Sequence, residues 1–421
     1  MSLVTRAATG VTLAGLLAAP LWAAPAYAAT PAPTTGASTT DPARAAAGWL
    51  AGQLTGPQAD HLTSSYVDQN GATQTYADQG LTADAVLSFD AAGVAQDAAK
   101  RATTWLATQV DAYAGTAPNY YPGSLAKLIL VAVAQGEDPH AFGNTDLVKA
   151  LQGEEASDGL YTDPDTQNGY QSVVTQALAL VALSRTDTKP DAKAVSWLAG
   201  QQCADGGFQT DVRTSTSAPC TSDADTTSFA VQALAATRTD ASKAVAWLTA
   251  HRNSDNGFGT PSSNANSTAI AVQALLAAGG DPSASIAYLR GLQVGCAGTT
   301  AQRGAVTFSG TFGATAVRAT SQAAQALAGK TLAQITESGA GAAAPTLACA
   351  ATATPTPTPT ATRTVAPLTD GHVQRPAPLA SSGTAELPRT GSSAPVVPLV
   401  AAALAALAIG AVLLRWGRRT A

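Results

Sequence analysis

Between Asp41 and Cys349 the chain repeats itself, and a repeat of this kind limits the fold to copies of one helical unit packed side by side. The unit opens with an aromatic-leucine pair, seen at Trp49-Leu50, Trp105-Leu106, Trp197-Leu198, Trp247-Leu248 and Tyr288-Leu289, with Ala150-Leu151 filling the remaining slot. A polar, glycine-bearing loop follows. The unit closes with a stretch rich in alanine and leucine, and these stretches predict helices over Thr82–Gly93, Leu125–Gly136, Ser172–Leu183, Thr226–Ala236, Thr268–Gly279 and Thr320–Gly329. Copies four and five match most closely: Ala-Val-Ser-Trp197-Leu-Ala stands against Ala-Val-Ala-Trp247-Leu-Thr, and Phe229-Ala-Val-Gln232-Ala-Leu against Ile270-Ala-Val-Gln273-Ala-Leu.

A period of roughly 40 to 55 residues with two helices per unit gives either an open solenoid or a closed ring. The second helices, such as Thr268–Gly279, are small and apolar on nearly every side, which suits an inner layer packed among neighbours, whereas the Trp-Leu helices keep a polar face. The expectation is an all-α fold with little strand, an α6/α6 toroid of six helix-pair repeats spanning residues 41–349, with an open array as the alternative.

The repeats resemble the terpenoid cyclase and protein prenyltransferase toroids, built from the prenyltransferase and squalene oxidase repeat and also used by cobalamin carriers. Gln202-Cys-Ala-Asp-Gly206-Gly207-Phe208 is similar to the QxxxGxW repeat of squalene and hopene cyclases, with phenylalanine in the tryptophan's place. Arg252 to Phe258 is a weaker copy, with Arg252 for the glutamine and Asn256 for the first glycine. The motif resemblance is confined to repeats three to five.

Asp223-Ala224-Asp225-Thr226-Thr227 opens the fourth inner helix and is similar to the DxDD motif by which class II cyclases protonate an alkene or epoxide. Carried over, the resemblance makes Asp225 the proton donor with Asp223 beside it, a role that needs a carboxylic acid kept neutral by its surroundings. The pattern is incomplete. Thr226 stands where the last aspartate belongs, only 5% of the chain is aromatic, and there is one helical domain where these cyclases use two. The competing reading of Asp225 is a helix cap, since equivalent helix starts carry Asn266-Ser267-Thr268 and Thr320-Ser321, and such side chains accept from the exposed amides of a first turn. Asp223 with Asp205 and Asp211 makes a candidate acidic mouth for a cation, against the alternative of a solvated loop.

No metal centre or cofactor is expected: there is no Cys-x-x-Cys, and the four histidines are scattered. Protein prenyltransferases hold zinc with an aspartate, a cysteine and a histidine near this same helix, and no cysteine occurs between Cys220 and Cys296. Charged residues make up 12% of the chain and the net charge is -5, so nothing points to a nucleic-acid partner.

The two ends place the domain outside a cell. Arg6, an apolar stretch from Gly10 to Trp22 and Ala26-Tyr27-Ala28 together describe a secretory signal over residues 1–28, cleaved between Ala28 and Ala29, with a disordered linker over 29–40. A short buried helix is the alternative. Near the other terminus stand Leu387-Pro388-Arg389-Thr390-Gly391, an apolar run over 396–414, and Arg415, Trp416, Arg418 and Arg419. The run is about long enough to span a hydrocarbon core of roughly 30 Å, and the arginines after it would stay cytoplasmic. The order of these parts over 387–421 resembles the LPXTG sorting signals of Gram-positive surface proteins. That resemblance implies a sortase that cleaves between Thr390 and Gly391 and joins the threonyl carbonyl to a peptidoglycan amine. The membrane helix is then transient; a permanent tail anchor is the alternative. Residues 350–386, with Thr-Pro-Thr-Pro-Thr-Pro-Thr, cannot bury a core and read as an extended, disordered Pro/Thr stalk reaching about 100 Å at roughly 3.1 Å per residue.

In an exported chain disulfides persist, and Cys203, Cys220, Cys296 and Cys349 allow three pairings. Cys203 with Cys220 and Cys296 with Cys349 is preferred, because the first closes a short loop and the second fastens the end of the domain. Two functions remain: a sortase-anchored, noncatalytic module binding an apolar lipid, a cobamide-like molecule or a wall glycan, and an extracellular cyclase-like enzyme using Asp225 as acid.

Overall fold

The structure is a computed structural model that describes residues 37–164, 171–213, 215 and 219–350. The expected signal peptide, most of the linker over 29–40, the stalk, the LPXTG motif and the apolar run over 396–414 lie outside the described residues. Among the described residues no helix is long and apolar enough to cross a membrane.

In chain order the first helices are α1 (Pro42–Ala51), α2 (Gln79–Ala92), α3 (Gln96–Thr108), the short α4 (Val110–Ala114), α5 (Pro122–Ala134) and α6 (Leu147–Gly153). There follow α7 (Val173–Ser184), α8 (Ala192–Gly200), α9 (Ala224–Ala236), α10 (Ser242–Ala250), α11 (Ala265–Ala277), α12 (Ser283–Gly291) and α13 (Ala316–Leu327). The alanine- and leucine-rich helices α2, α5, α7, α9, α11 and α13 each pack on the next, and α13 returns to pack on α2, which closes a ring. Cross-links between residues at matching depths, Lys127 with Asp84 and Gln273 with Gln325, show that these helices run parallel.

The aromatic-leucine helices form an outer layer. α1 sits against α13 and α2, α3 against α2 and α5, α6 against α5, α8 against α7 and α9, α10 against α9 and α11, and α12 against α11 and α13. Their leucines explain the repeat: Leu50, Leu106, Leu151, Leu198, Leu248 and Leu289 are all fully buried. Burying one leucine side chain contributes about 1.5–3 kcal/mol. The result is an α/α toroid.

A recurring polar contact sets each loop on its inner helix. The backbone N–H of Leu62 donates to Thr82 Oγ1 at 3.0 Å. Those of Phe208, Phe258 and Val306 donate to Thr227, Thr268 and Thr320 Oγ1, each at 2.9 Å. In the third copy Gln176 Oε1 replaces the hydroxyl and accepts from Tyr161 N at 2.9 Å. A buried N–H needs such an acceptor, so the threonine both satisfies the backbone and drives the loop's large side chain into the core.

The last loop clasps the first outer helix. Trp49 Nε1 donates to Ala301 O at 2.8 Å, and Gln293 Nε2 to Pro42 O at 2.8 Å. Gly304 has φ +94°, and a Cβ there would come within 2.5 Å of Ala45 O, so only glycine fits this approach.

Residues 330–343 form a strap across the C-terminal ends of the inner helices. Gln273 Nε2 donates to Lys330 O at 3.1 Å, Leu332 N to Gln232 Oε1 at 3.3 Å, and Glu337 N to Ala134 O at 2.8 Å. Arg185 reaches the strap twice, Nη1 to Leu332 O at 3.0 Å and Nη2 to Ile335 O at 2.5 Å. Leu332 and Ile335 are buried beneath it.

Strand content is small, as expected, but it is not nil. The parallel pair β1 (Ser38–Thr39) and β6 (Thr346–Leu347) joins the two ends of the domain. The hairpin β2 (Thr63–Val67) and β3 (Thr73–Ala77) turns at Asn70-Gly71, and β4 (Gly115–Thr116) pairs with β5 (Asn119–Tyr120). Cys203 is bonded to Cys220 and Cys296 to Cys349, with Cα separations of 5.7 and 5.6 Å.

Candidate functional site: a cup at the ring mouth

The inner helices begin where their caps lie, up to five residues before the apolar stretches suggest. Asp78 Oδ1 accepts from Leu81 N at 2.8 Å, Asp223 Oδ1 from Thr226 N at 2.8 Å, and Asn264 Oδ1 from Ser267 N at 3.0 Å. This corrects the capping reading. Asp223 caps α9, and Asp225 stands inside its first turn; likewise Asn264, not Asn266 or Ser267, caps α11.

With the caps satisfied elsewhere, Asp225 belongs to a stripe facing the ring axis. Each inner helix carries its outer partners on one side, so residues that stay partly open on an otherwise buried helix mark the axial side. The first such level holds Gly80, Gly123, Val174, Asp225, Asn266 and Arg318, all half-buried. Four residues on, the second level holds Asp84, Lys127, Leu178, Phe229, Ile270 and Gln322. One further turn down stand Ser88, Val131, Ala182, Ala233, Ala274 and Ala326, every one 0% exposed. Four helical residues rise about 6 Å, so the mouth is a cup whose floor of small side chains lies two such steps, about 12 Å, below the first level.

Its walls differ in chemistry. On the side of α2, α5 and α13, Lys127 Nζ lies 2.9 Å from Asp84 Oδ1, and Arg318 Nη2 donates to Asp78 Oδ2 at 3.1 Å. Burial alone would lower the Lys127 ammonium, yet Asp84 and the Tyr113 phenol hold it above its ordinary value. Gly80 makes room for that phenol, whose oxygen would lie 3.2 Å from a Cβ there. The opposite wall, formed by Val174, Leu178, Phe229 and Ile270, is apolar.

Asp225 lies beside the apolar wall. Burial, reinforced by the nearby Asp223 carboxylate, pushes its pKa up to about 6 against the Ser267 hydroxyl. Its Oδ1 is enclosed and accepts no hydrogen bond, as are Asn266 Oδ1 and Gln322 Oε1 on the next two inner helices. A carboxyl whose folded pKa is raised holds its proton more tightly when folded, so its ionisation costs stability as pH climbs from 3.8 past about 6. Asp225→Asn is therefore expected to raise stability at pH 8 by on the order of 2 kcal/mol, allowing for partial exposure, and to change nothing at pH 4. Asp223→Ala should cost about 1 kcal/mol at pH 4 as the cap is lost, and less at pH 8, where removing its charge eases the ionisation of Asp225. Urea unfolding at the two pH values checks both; no gain at pH 8 in Asp225→Asn would mean that the folded chain does not resist ionisation of this carboxyl.

The acidic mouth does not form. Asp205 accepts from Gly207 N at 3.1 Å, Ser222 Oγ at 2.7 Å and Trp247 Nε1 at 3.0 Å, which fixes the loop to α10. Asp211 bridges to Ser172 through the backbone. Among the described residues no group of three or more His, Cys, Asp or Glu side chains is placed to hold a metal ion. The Gln202–Phe208 motif is likewise structural: Gln202 Nε2 donates to Gly206 O at 2.9 Å, and a Cβ on Gly206 would meet Lys243 O of α10 at 2.9 Å.

The sequence matches no protein-family model, and no curated protein matches it. Solved structures do. A UGL variant with dGlcA-Glc-Rha-Glc superposes with a TM-score of 0.50 at 12% identity, over 68% of this chain and 95% of that one. An unsaturated glucuronyl hydrolase from Bacillus sp. GL1, responsible for glycosaminoglycan degradation, gives 0.48 at 13% identity, over 68% and 94%. The ent-copalyl diphosphate synthase of Streptomyces platensis gives 0.40 at 19% identity over 62% of this chain. It is matched over 53% of its own length, so this chain spans about half of it. At 12% identity the likeness to the UGL variant bears on fold, an α/α toroid, and not on activity.

Proposed function

We propose that the chain is exported, joined by sortase to the peptidoglycan of a Gram-positive cell through Thr390, and displays a noncatalytic ring of six helix pairs that binds a ligand at its mouth. In this reading the segment over 396–414 is held only transiently in the membrane, and residues 350–386 carry the ring through the wall. The signal-like start, the Leu387–Gly391 motif with its apolar run and arginines, and the two disulfides support export and anchoring. The observation that carries the noncatalytic part is the closure of the axis at Ser88, Val131, Ala182, Ala233, Ala274 and Ala326. A cyclase must enclose a folded polyprene among aromatic faces. Among the described residues, a cup floored by small side chains about 12 Å below its first level, with Phe229 as the one aromatic residue of the axial stripe and the Tyr113 phenol beside Gly80, supports a binding surface over such an enclosure.

One observation favours the second reading, an extracellular cyclase with Asp225 as proton donor: the pKa of that carboxyl is raised to about 6. An acid alone does not make the reaction, which also needs a cavity that orients the alkene. Incubation of the purified chain with squalene and shorter polyprenes, followed by gas chromatography, is expected to yield no cyclic product. Products that disappear in Asp225→Asn would replace the binding module with an enzyme.

A further inference from the structure

The cup holds one charge, on Asp225, that meets the Ser267 hydroxyl but no counter-charge. Lys127 is met by Asp84 at 2.9 Å and Arg318 by Asp78 at 3.1 Å. Among the described residues no cation faces Asp225. Its own helix contributes Asp223, which is occupied with the cap; α11 presents the neutral Asn266 and Ser267, and α7 presents Val174 and Thr175. Lys193 on α8 and Lys243 on α10 are exposed in the outer layer.

Two features beside this carboxylate define what would complete it. Oδ1 of Asp225 is enclosed without a hydrogen-bond donor while the residue as a whole stays half-buried, so the carboxylate keeps an open side toward the cup and is poorly compensated on its closed side. One turn below Asp225 on the same stripe is Phe229, with Leu178 and Ile270 on the flanking helices. Donors are needed above and hydrocarbon below. A bare divalent ion would want six or more oxygens and gain nothing from Phe229; a neutral polyol would leave the carboxylate unanswered.

We propose that the cup binds a small organic cation, an ammonium group on a compact hydrocarbon body, with its N–H donors at the open side of the Asp225 carboxylate and its hydrocarbon against Phe229, Leu178 and Ile270. The proposal deepens the binding-module reading and rests on it. The ammonium supplies the missing counter-charge, and the face of Phe229 adds a cation–π attraction.

The test is titration calorimetry of the full chain with n-butylammonium and with n-butanol, which has the same carbon skeleton without the charge. n-Butylammonium is expected to bind at least about tenfold more tightly than n-butanol, a difference of roughly 1.4 kcal/mol. Its affinity should fall as pH drops below about 6, where Asp225 takes up a proton. Asp225→Asn should remove the preference for the cation while keeping an undiminished unfolding midpoint. Phe229→Leu, which keeps the volume, should weaken n-butylammonium and leave n-butanol nearly unchanged. Equal binding of the two probes, or an unaltered preference in Asp225→Asn, overturns the cation assignment and leaves the binding module standing. Binding of neither overturns the cup as a ligand site altogether.

Discussion

Replacing Thr390 with alanine is expected to abolish the wall-linked form of the protein. The LPXTG-like motif implies a sortase that attacks the threonyl carbonyl, so a chain without that threonine has no acyl link to pass to the peptidoglycan amine. It should appear in the membrane fraction, held by the apolar run over 396–414, or in the medium. The ring is far from the substitution in sequence and should keep its unfolding midpoint, which separates an anchoring defect from misfolding. Muramidase digestion and blotting read the outcome directly. A ladder of wall-linked fragments persisting in Thr390→Ala would remove the anchoring proposal and leave the toroid as described.

The largest effect inside the domain is expected at Phe258. Its side chain is 0% exposed, and its backbone N–H is fixed on Thr268. Phe258→Ala should cost about 3–5 kcal/mol, because the transfer energy of the ring is lost and the surrounding helices cannot collapse fully into the space. That is a large part of the roughly 5–15 kcal/mol that holds a typical domain together. Phe229→Ala removes the same atoms from the cup wall, where the void opens to solvent, and should cost only about 1–2 kcal/mol. Urea unfolding with the m-value monitored gives both numbers. Equal losses would mean that Phe229 is packed in the core and that the mouth is closed one level higher.

Much of the ring was legible in the residues and the cup was not. The six apolar stretches, the leucine of each outer helix and the preferred cysteine pairs depend on local composition or on spacing, and each is present in the structure. The expected helix starts fall late because apolar residues mark where burial begins, whereas the cap lies up to five residues earlier. Asp223 three residues before Thr226 is the available signal, whereas matching Asp225 to the helix starts at Asn266-Ser267-Thr268 and Thr320-Ser321 puts the cap two residues too late. The β2–β3 hairpin was also readable, since Asn70-Gly71 between alternating Thr, Ser and Tyr residues is a strong turn pattern. Lys127 inside the apolar run of α5 and Asp84 inside α2 were further hints, because charged side chains are seldom buried without a partner. What no local pattern reveals is that Asp84, Lys127, Leu178, Phe229, Ile270 and Gln322 share one level. That follows only once six helices from across the chain stand parallel around an axis. The strap over 330–343 was hidden for the same reason: it has no periodicity, and its partners lie elsewhere in the sequence.

The Cys296–Cys349 bond and the β1–β6 pair, described above as fastenings, also determine how the domain carries tension. A pull on the chain from beyond residue 350 enters at Cys349, crosses the disulfide to Cys296 and continues into α12. Residues 297–348, which include α13 and the strap, lie within the closed covalent loop, and the disulfide spares them most of that load. In the reduced chain the same pull would first part β6 from β1 and then peel the strap from the base of the ring. The disulfide therefore acts as a mechanical bypass, sparing the element that seals the toroid while the domain is dragged by its C-terminal end.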